Sequence, residues 1–168
     1  MTAYVALLRA VNVGGTGALP MSDLRALCEA GGFLGVRTYI ASGNAVFKSD
    51  MDEAGVKESL QAALHAYAGK NVGVLVRTGA DMAAVLRHNP FASAPGNRVT
   101  AIFLDNPPPP DALEAAAGRS DEAIVLGGRE IYVHYPSGMA RTKLRIPAAR
   151  DGTARNMNTV ATLAQWTA

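Results

Sequence analysis

Cysteine is nearly absent: Cys28 alone, among 168 residues, excludes an internal disulfide and any clustered-cysteine metal site. Histidine is scarce too. His65, His88 and His134 are scattered and form no H-E-x-x-H pattern, so neither a metal site nor a cofactor is expected. No apolar run approaches the roughly 18 residues that cross a bilayer, and Met1-Thr-Ala-Tyr-Val5 lacks the basic flank of a secretory signal. A soluble, reduced, cytoplasmic protein with no membrane partner is the expectation. Sixteen basic residues against fourteen acidic ones leave +2, too little to mark the whole chain as a nucleic-acid binder. What the chain does have is 49% hydrophobic and 18% charged residues, enough for a substantial core and against general disorder.

Charge is unevenly spread. Residues 1–78 sum to +1, 79–136 to −3 and 137–168 to +4, and arginine outnumbers lysine twelve to four. Arginine forks hold carboxylate or phosphate bidentately, so the bias suits anion recognition, but codon composition with an ordinary solvated surface is the reading it favours first.

Periodicity outlines the fold. Ala3 to Arg9 reads as a strand buried on both faces, followed by a glycine-rich loop from Asn12 to Gly17. A helix opens near Pro20–Ser22, with Leu24, Leu27 and Cys28 on one face and Gly31-Gly32 as its stop. Val36–Ile40 and Ala45–Phe47 read as strands joined by the turn Ser42-Gly43-Asn44. Val56, Leu60, Ala63, Leu64 and Tyr67 mark a second amphipathic helix, and Asp50, Asp52 and Glu53 ahead of it suit capping better than metal binding. Val72–Val76 completes β-α-β-β-α-β, the ferredoxin-like order. After a short helix over Ala80–Arg87, strands at Val99–Leu104, Ala123–Leu126 and Glu130–Tyr135 surround a helix over Asp111–Ala117. A last helix follows its N-cap Thr153, so this half reads β-α-β-β-α without a final strand. The expectation is an α+β chain of two tandem ferredoxin-like lobes, 1–78 and a truncated 79–168, packed as one compact unit.

Several stretches in register also resemble one family. They are Leu7-Leu-Arg-Ala-Val-Asn-Val-Gly-Gly15, Arg37-Thr-Tyr-Ile-Ala-Ser-Gly-Asn44 with Val46-Phe47, Asn89-Pro-Phe91, Ile131-Tyr132 and Thr153-Ala-Arg-Asn-Met-Asn-Thr-Val160. The resemblance is to the DUF1697 family of bacterial proteins, along nearly the full length. It implies a two-lobed α+β fold and no particular activity. Two positions depart from the family pattern. Ala10 replaces a glycine at a strand end, where it is expected to be harmless. Met157 replaces a tryptophan, which weighs against aromatic stacking there.

Three segments carry candidate chemistry. The glycine-rich loop lies between strand and helix, where free helix N–H groups can cradle phosphate, and Arg9, Asn12, Gly14 and Gly15 are its candidate residues. It matches neither G-x-x-x-x-G-K-[ST] nor G-x-G-x-x-G, so the glycines read first as permitting the turn and second as a phosphate cradle. Ser42, Gly43 and Asn44 read first as hairpin chemistry and second as donors to a ligand. In the C-terminal segment, Arg155, Asn156, Asn158 and Thr159 crowd the expected first turn of the last helix. A cation there opposes the helix dipole unless an anion is present, and Lys143 could add charge. The alternative is an Arg–Asn network that docks the last helix. Cys28, on an apolar stripe, reads as core rather than nucleophile.

These residues lead to a binding protein for an anionic ligand held between the lobes: a nucleotide, a phosphorylated metabolite or a nucleic-acid backbone. A standard RNA-recognition module is disfavoured, because Tyr4 and Ala45-Val46-Phe47 offer too few aromatics for base stacking. The rivals are an enzyme acting on a phosphoryl or acyl substrate, which lacks a base within the motifs, and an interaction module whose polar motifs are purely structural.

Overall fold

The first sheet grows outward from β1 (Thr2–Leu8), whose residues Tyr4 to Leu8 are all buried, as its unbroken apolar run dictates. β1 pairs antiparallel with β3 (Asn44–Ser49) on one side and β4 (Val74–Thr78) on the other. β2 (Leu34–Tyr39) joins β3, giving the order β2-β3-β1-β4. The computed structural model describes residues 1–13 and 18–168. The chain divides into two compact units, Met1–Ala83 with Leu163–Ala168, and Ala84–Thr162.

In the first unit, α1 (Met21–Ala30) and α2 (Glu53–Ala68) follow the spacing of their apolar residues. Leu24 and Cys28 from α1, with Val56, Leu60 and Leu64 from α2, pack with Tyr4, Ala6 and Leu8 of β1. Phe33 stacks on Phe47 with ring centroids 4.2 Å apart. Asp52 caps α2 by accepting the Gly55 N–H at 2.8 Å, and Gly69 ends it in the left-handed conformation. Tyr67, expected on the apolar stripe of this helix, is instead 45% exposed because α2 has reached its end. Thr78 and Asp81 cap each other's backbone N–H at the start of α3 (Gly79–Arg87). Trp166, on the C-terminal segment of this unit, lies beneath the Arg37 guanidinium at 3.6 Å and meets the edge of Tyr39.

The second unit departs from its sequence reading in two places. β5 (Val99–Phe103), β6 (Ala123–Leu126) and β7 (Glu130–His134) form as expected, but a fourth strand, β8 (Thr153–Asn156), pairs antiparallel with β5. The order β6-β7-β5-β8 repeats the pattern of the first sheet. Thr153 therefore does not cap a helix, and α4 (Met157–Trp166) begins four residues later. Polar composition hid the strand: Thr153 and Arg155 are buried while Ala154 between them is exposed, the alternation of a strand in register with β5. The expected helix over Asp111–Ala117 is instead a run of turns. Seven residues between four prolines and Gly118, whose φ is +70°, are too few to offset helix nucleation. Leu104, Ile124, Ile131 and Val133 form the core of this unit. Among the described residues, no helix is long and apolar enough to cross a membrane.

Backbone strain gathers at one end of the first sheet. Ala10, Asn12 and Ile40 have φ of 54°, 55° and 49°, the left-handed region that costs a residue with a Cβ about 1–2 kcal/mol. The alanine expected to be harmless thus occupies a position that glycine suits. Ala10→Gly is expected to raise stability by about 0.5–1 kcal/mol, less than the strain relieved because glycine also loosens the unfolded chain. Urea denaturation checks this, and a lower midpoint would show that Ala10 is unstrained.

Candidate functional site

The first unit contains a cavity of about 600 Å³ where the ends of β1 and α2 meet the start of α1. Val11, Leu19, Leu64 and Val72 give it apolar walls, and Arg9, Tyr67, Lys70 and Asn71 give it polar ones. Each polar residue is placed by the end of a strand or helix. Arg9 follows β1 directly, and its N–H donates to Gly73 O at 2.9 Å. Its aliphatic stem lies against Gly73, where a Cβ would stand 3.2 Å from Arg9 Cβ. Lys70 and Asn71 follow Gly69, where α2 has stopped. The cations in its lining are Arg9 and Lys70. The α2 terminus presents carbonyl oxygens, the negative end of its dipole, and complements them rather than an anion.

The Tyr67 hydroxyl donates to Asp23 Oδ2 at 2.6 Å, linking the end of α2 to the first turn of α1. That hydrogen bond, then partial burial and the Asp23 charge, pushes the phenol pKa above its ordinary value.

Of the residues singled out from sequence, Arg9 lines this cavity. Asn12 lies beside it with its amide engaged: Nδ2 donates to Leu19 O and Ala41 O, both at 2.8 Å, and Oδ1 accepts the Leu19 N–H at 2.6 Å. Gly14 and Gly15 lie outside the described residues. The hairpin turn comes close to Asn12, because Leu8 N–H donates to Gly43 O at 2.8 Å. Its chemistry is that of a turn. Buried Asn44 donates to Tyr39 O at 2.9 Å and Ser42 Oγ at 3.0 Å. A Cβ on Gly43, whose φ is +91°, would stand 2.7 Å from Val11 Cγ2 and 2.9 Å from Leu8 Cβ.

The remaining candidates belong to the second unit. Lys143 is exposed at a shallow hollow shared with Gly118, Thr142 and Arg145. Beside it, the Thr142 hydroxyl and the Ser120 N–H donate to Glu122 and hold its carboxyl below the usual range. Arg155 is not in a helix and opposes no dipole. It is 6% exposed on β8, and its Nη1 donates to Thr153 Oγ1 at 2.8 Å and Ala154 O at 2.9 Å. Burial draws its pKa down to about 10, so it remains a cation at neutral pH. Asn156 immediately precedes α4, and its Oδ1 accepts the Thr159 N–H at 2.9 Å, an N-cap. Asn158 covers Gly96, where a Cβ would collide with its Oδ1.

Sequence reasoning passed over Tyr67, Lys70 and Asn71. Tyr67 falls on the apolar spacing of α2, and an isolated Lys-Asn after a helix carries no pattern. The one available signal is Gly69, which ends α2 and puts the next residues on a loop.

Comparison with known proteins settles kinship. Residues 1–132 match the family described as Protein of unknown function (DUF1697). The chain belongs to the DUF1697 family. It is similar to the structure of conserved bacterial protein SP0830 from Streptococcus pneumoniae, with 25% identity, a TM-score of 0.82 and 99% of each chain covered. No curated protein matches the chain.

Two predictions follow from side-chain environments. Asn156→Ala is expected to lower stability by about 1 kcal/mol in urea melts, and Asn156→Asp to retain most of it. Cys28 is buried, and burial, followed by the Glu29 charge, pushes its thiol up to about 12. Little thiolate therefore forms below that pH. A thiol reagent at pH 8 is expected to leave the folded protein unlabelled and to label it in denaturant; rapid native labelling would contradict the buried placement.

Proposed function

We propose that this chain is a binding protein for a small anion that also carries an apolar portion. The observation that carries the reading is the first-unit cavity, with Arg9 and Lys70 on its polar side and Leu19, Leu64 and Val72 on the other. Its size lies within the range of about 300–1,000 Å³ usual for small-molecule sites. Arg9 supplies the stronger charge-assisted hydrogen bond, because its guanidinium fork matches carboxylate or phosphate, and Lys70 adds a point charge at the exposed rim. We also read the first unit as a ferredoxin-like lobe, from its β-α-β-β-α-β order and the strand arrangement β4-β1-β3-β2.

One set of contacts favours a second reading, in which the polar motifs hold the fold and nothing else. The side chains of Asn12, Asn44 and Asn156 all bond backbone groups. The two readings predict different behaviour at Arg9 and Lys70, which belong to the cavity.

Thermal unfolding of the full chain with inorganic phosphate, adenosine 5′-monophosphate and ribose 5-phosphate tests the proposal. A probe present at 100 times its Kd is expected to raise Tm by about 5–10 °C. Arg9→Ala should weaken binding about tenfold or more and Lys70→Ala a few-fold, with affinity falling as salt rises. Absence of stabilisation by any of the three probes would favour the structural reading, as would binding that is indifferent to Arg9.

A further inference from the structure

Resting on the anion-binding reading, we propose that the ligand carries a planar aromatic ring, that Tyr67 is the residue selecting it, and that Asp23 holds Tyr67 in position. Three features of the cavity argue for this. First, Tyr67 is 45% exposed although it lines the hollow, so its ring is available to a ligand rather than buried in the core. Second, an exposed tyrosine near a helix end would ordinarily sample several rotamers. Its hydroxyl is tied to Asp23 Oδ2 at 2.6 Å, which couples the ring to α1 and removes much of the entropy a ligand would otherwise have to offset. Third, the groups around it are those a nitrogen-containing aromatic ring can use. Asn71 offers both a donor and an acceptor for a ring edge, the aliphatic walls cover a ring face, and Arg9 and Lys70 answer an attached anion. A nucleoside monophosphate has this combination, and 600 Å³ is ample for one.

Tyr67 acts here through its ring, and Asp23 is a positioning residue. Stacking of a base on an aromatic side chain typically changes affinity about tenfold or more. The test compares adenosine 5′-monophosphate with ribose 5-phosphate by calorimetry on the full chain, in wild type, Tyr67→Leu, Tyr67→Phe and Asp23→Asn. Circular dichroism checks that each variant is folded.

The nucleotide is expected to bind wild type at least about tenfold more tightly than the sugar phosphate. Tyr67→Leu should bring the nucleotide down to the level of the sugar phosphate while leaving the sugar phosphate itself unaffected. Tyr67→Phe keeps the aromatic ring but removes its tether, so it should lose only a few-fold, and for the nucleotide alone. Asp23→Asn weakens the tether and also removes a carboxylate near both anions, so it is read as a few-fold fall in the ratio of nucleotide to sugar-phosphate affinity. If both probes bind equally well to wild type, the aromatic inference is overturned and the anion-binding reading stands. The same holds if Tyr67→Leu weakens both probes alike. If neither probe binds, both readings fall. Tyr67→Phe and Asp23→Asn keep the test decisive should Tyr67→Leu not fold, since an unchanged ratio of nucleotide to sugar-phosphate affinity in both would also overturn it.

Discussion

The amide of Asn12 is the constraint on which the candidate site depends. Three hydrogen bonds from one side chain fasten the segment after β1 to Leu19, just ahead of α1, and to Ala41 in the hairpin turn. Those connections hold Val11 and Leu19, two walls of the cavity, near each other. A shorter polar side chain could not reach both carbonyls while also accepting an N–H. Asparagine further tolerates the left-handed backbone that aims the amide, with φ at 55°. The same residue thus supplies the conformation and the bonds that maintain it.

Strain around this point fits that role. Ala10 and Ile40 stand on either side of the Asn12 connection in left-handed backbone, and Ile40 is β-branched, the kind of residue least suited to it. Sequence order alone does not require two such conformations within one corner of a sheet. They persist because the surrounding hydrogen bonds over-determine the path: Leu8 to Gly43, Arg9 to Gly73 and Asn12 to Ala41. Directing Arg9 out of the end of β1 while Val11 turns back towards Gly43 is the geometry that results.

The first unit was legible in the sequence because its elements obey simple periods. β1 is an unbroken apolar run, α2 repeats at helical spacing, and the hairpin carries Ser-Gly-Asn. The second unit was less so, for two opposite reasons. Asp111–Ala117 has good helix formers but too little length, so local propensity had nothing to propagate. Thr153–Asn156 has poor strand composition but a partner, since pairing with β5 overrides propensity and buries a charged side chain. Recognising β8 needed knowledge of β5's free edge, which no local window contains. The candidate site divides in the same way. Arg9 was visible as a cation closing a strand, whereas Tyr67 and Lys70 acquire meaning only from where α2 ends.

Arg9 and Arg155 show why the number of arginines says little about function. Both belong to candidate segments of the sequence, where Arg155 is the stronger candidate for pairing with an anion. Arg155 has its guanidinium inside the second unit, bonding its own strand through Thr153 and Ala154, and burial has already lowered its pKa. An incoming anion would have to displace those bonds and be desolvated as well, so most of the Coulombic gain would be offset. Arg9 is only half-buried, with its stem against Gly73 and its side chain in the wall of an open hollow. There a ligand could keep part of its hydration, which burial denies to one that approaches Arg155. Accessibility to solvent with the stem held fixed, rather than charge itself, is the reason we propose Arg9 and not Arg155 as the anion contact.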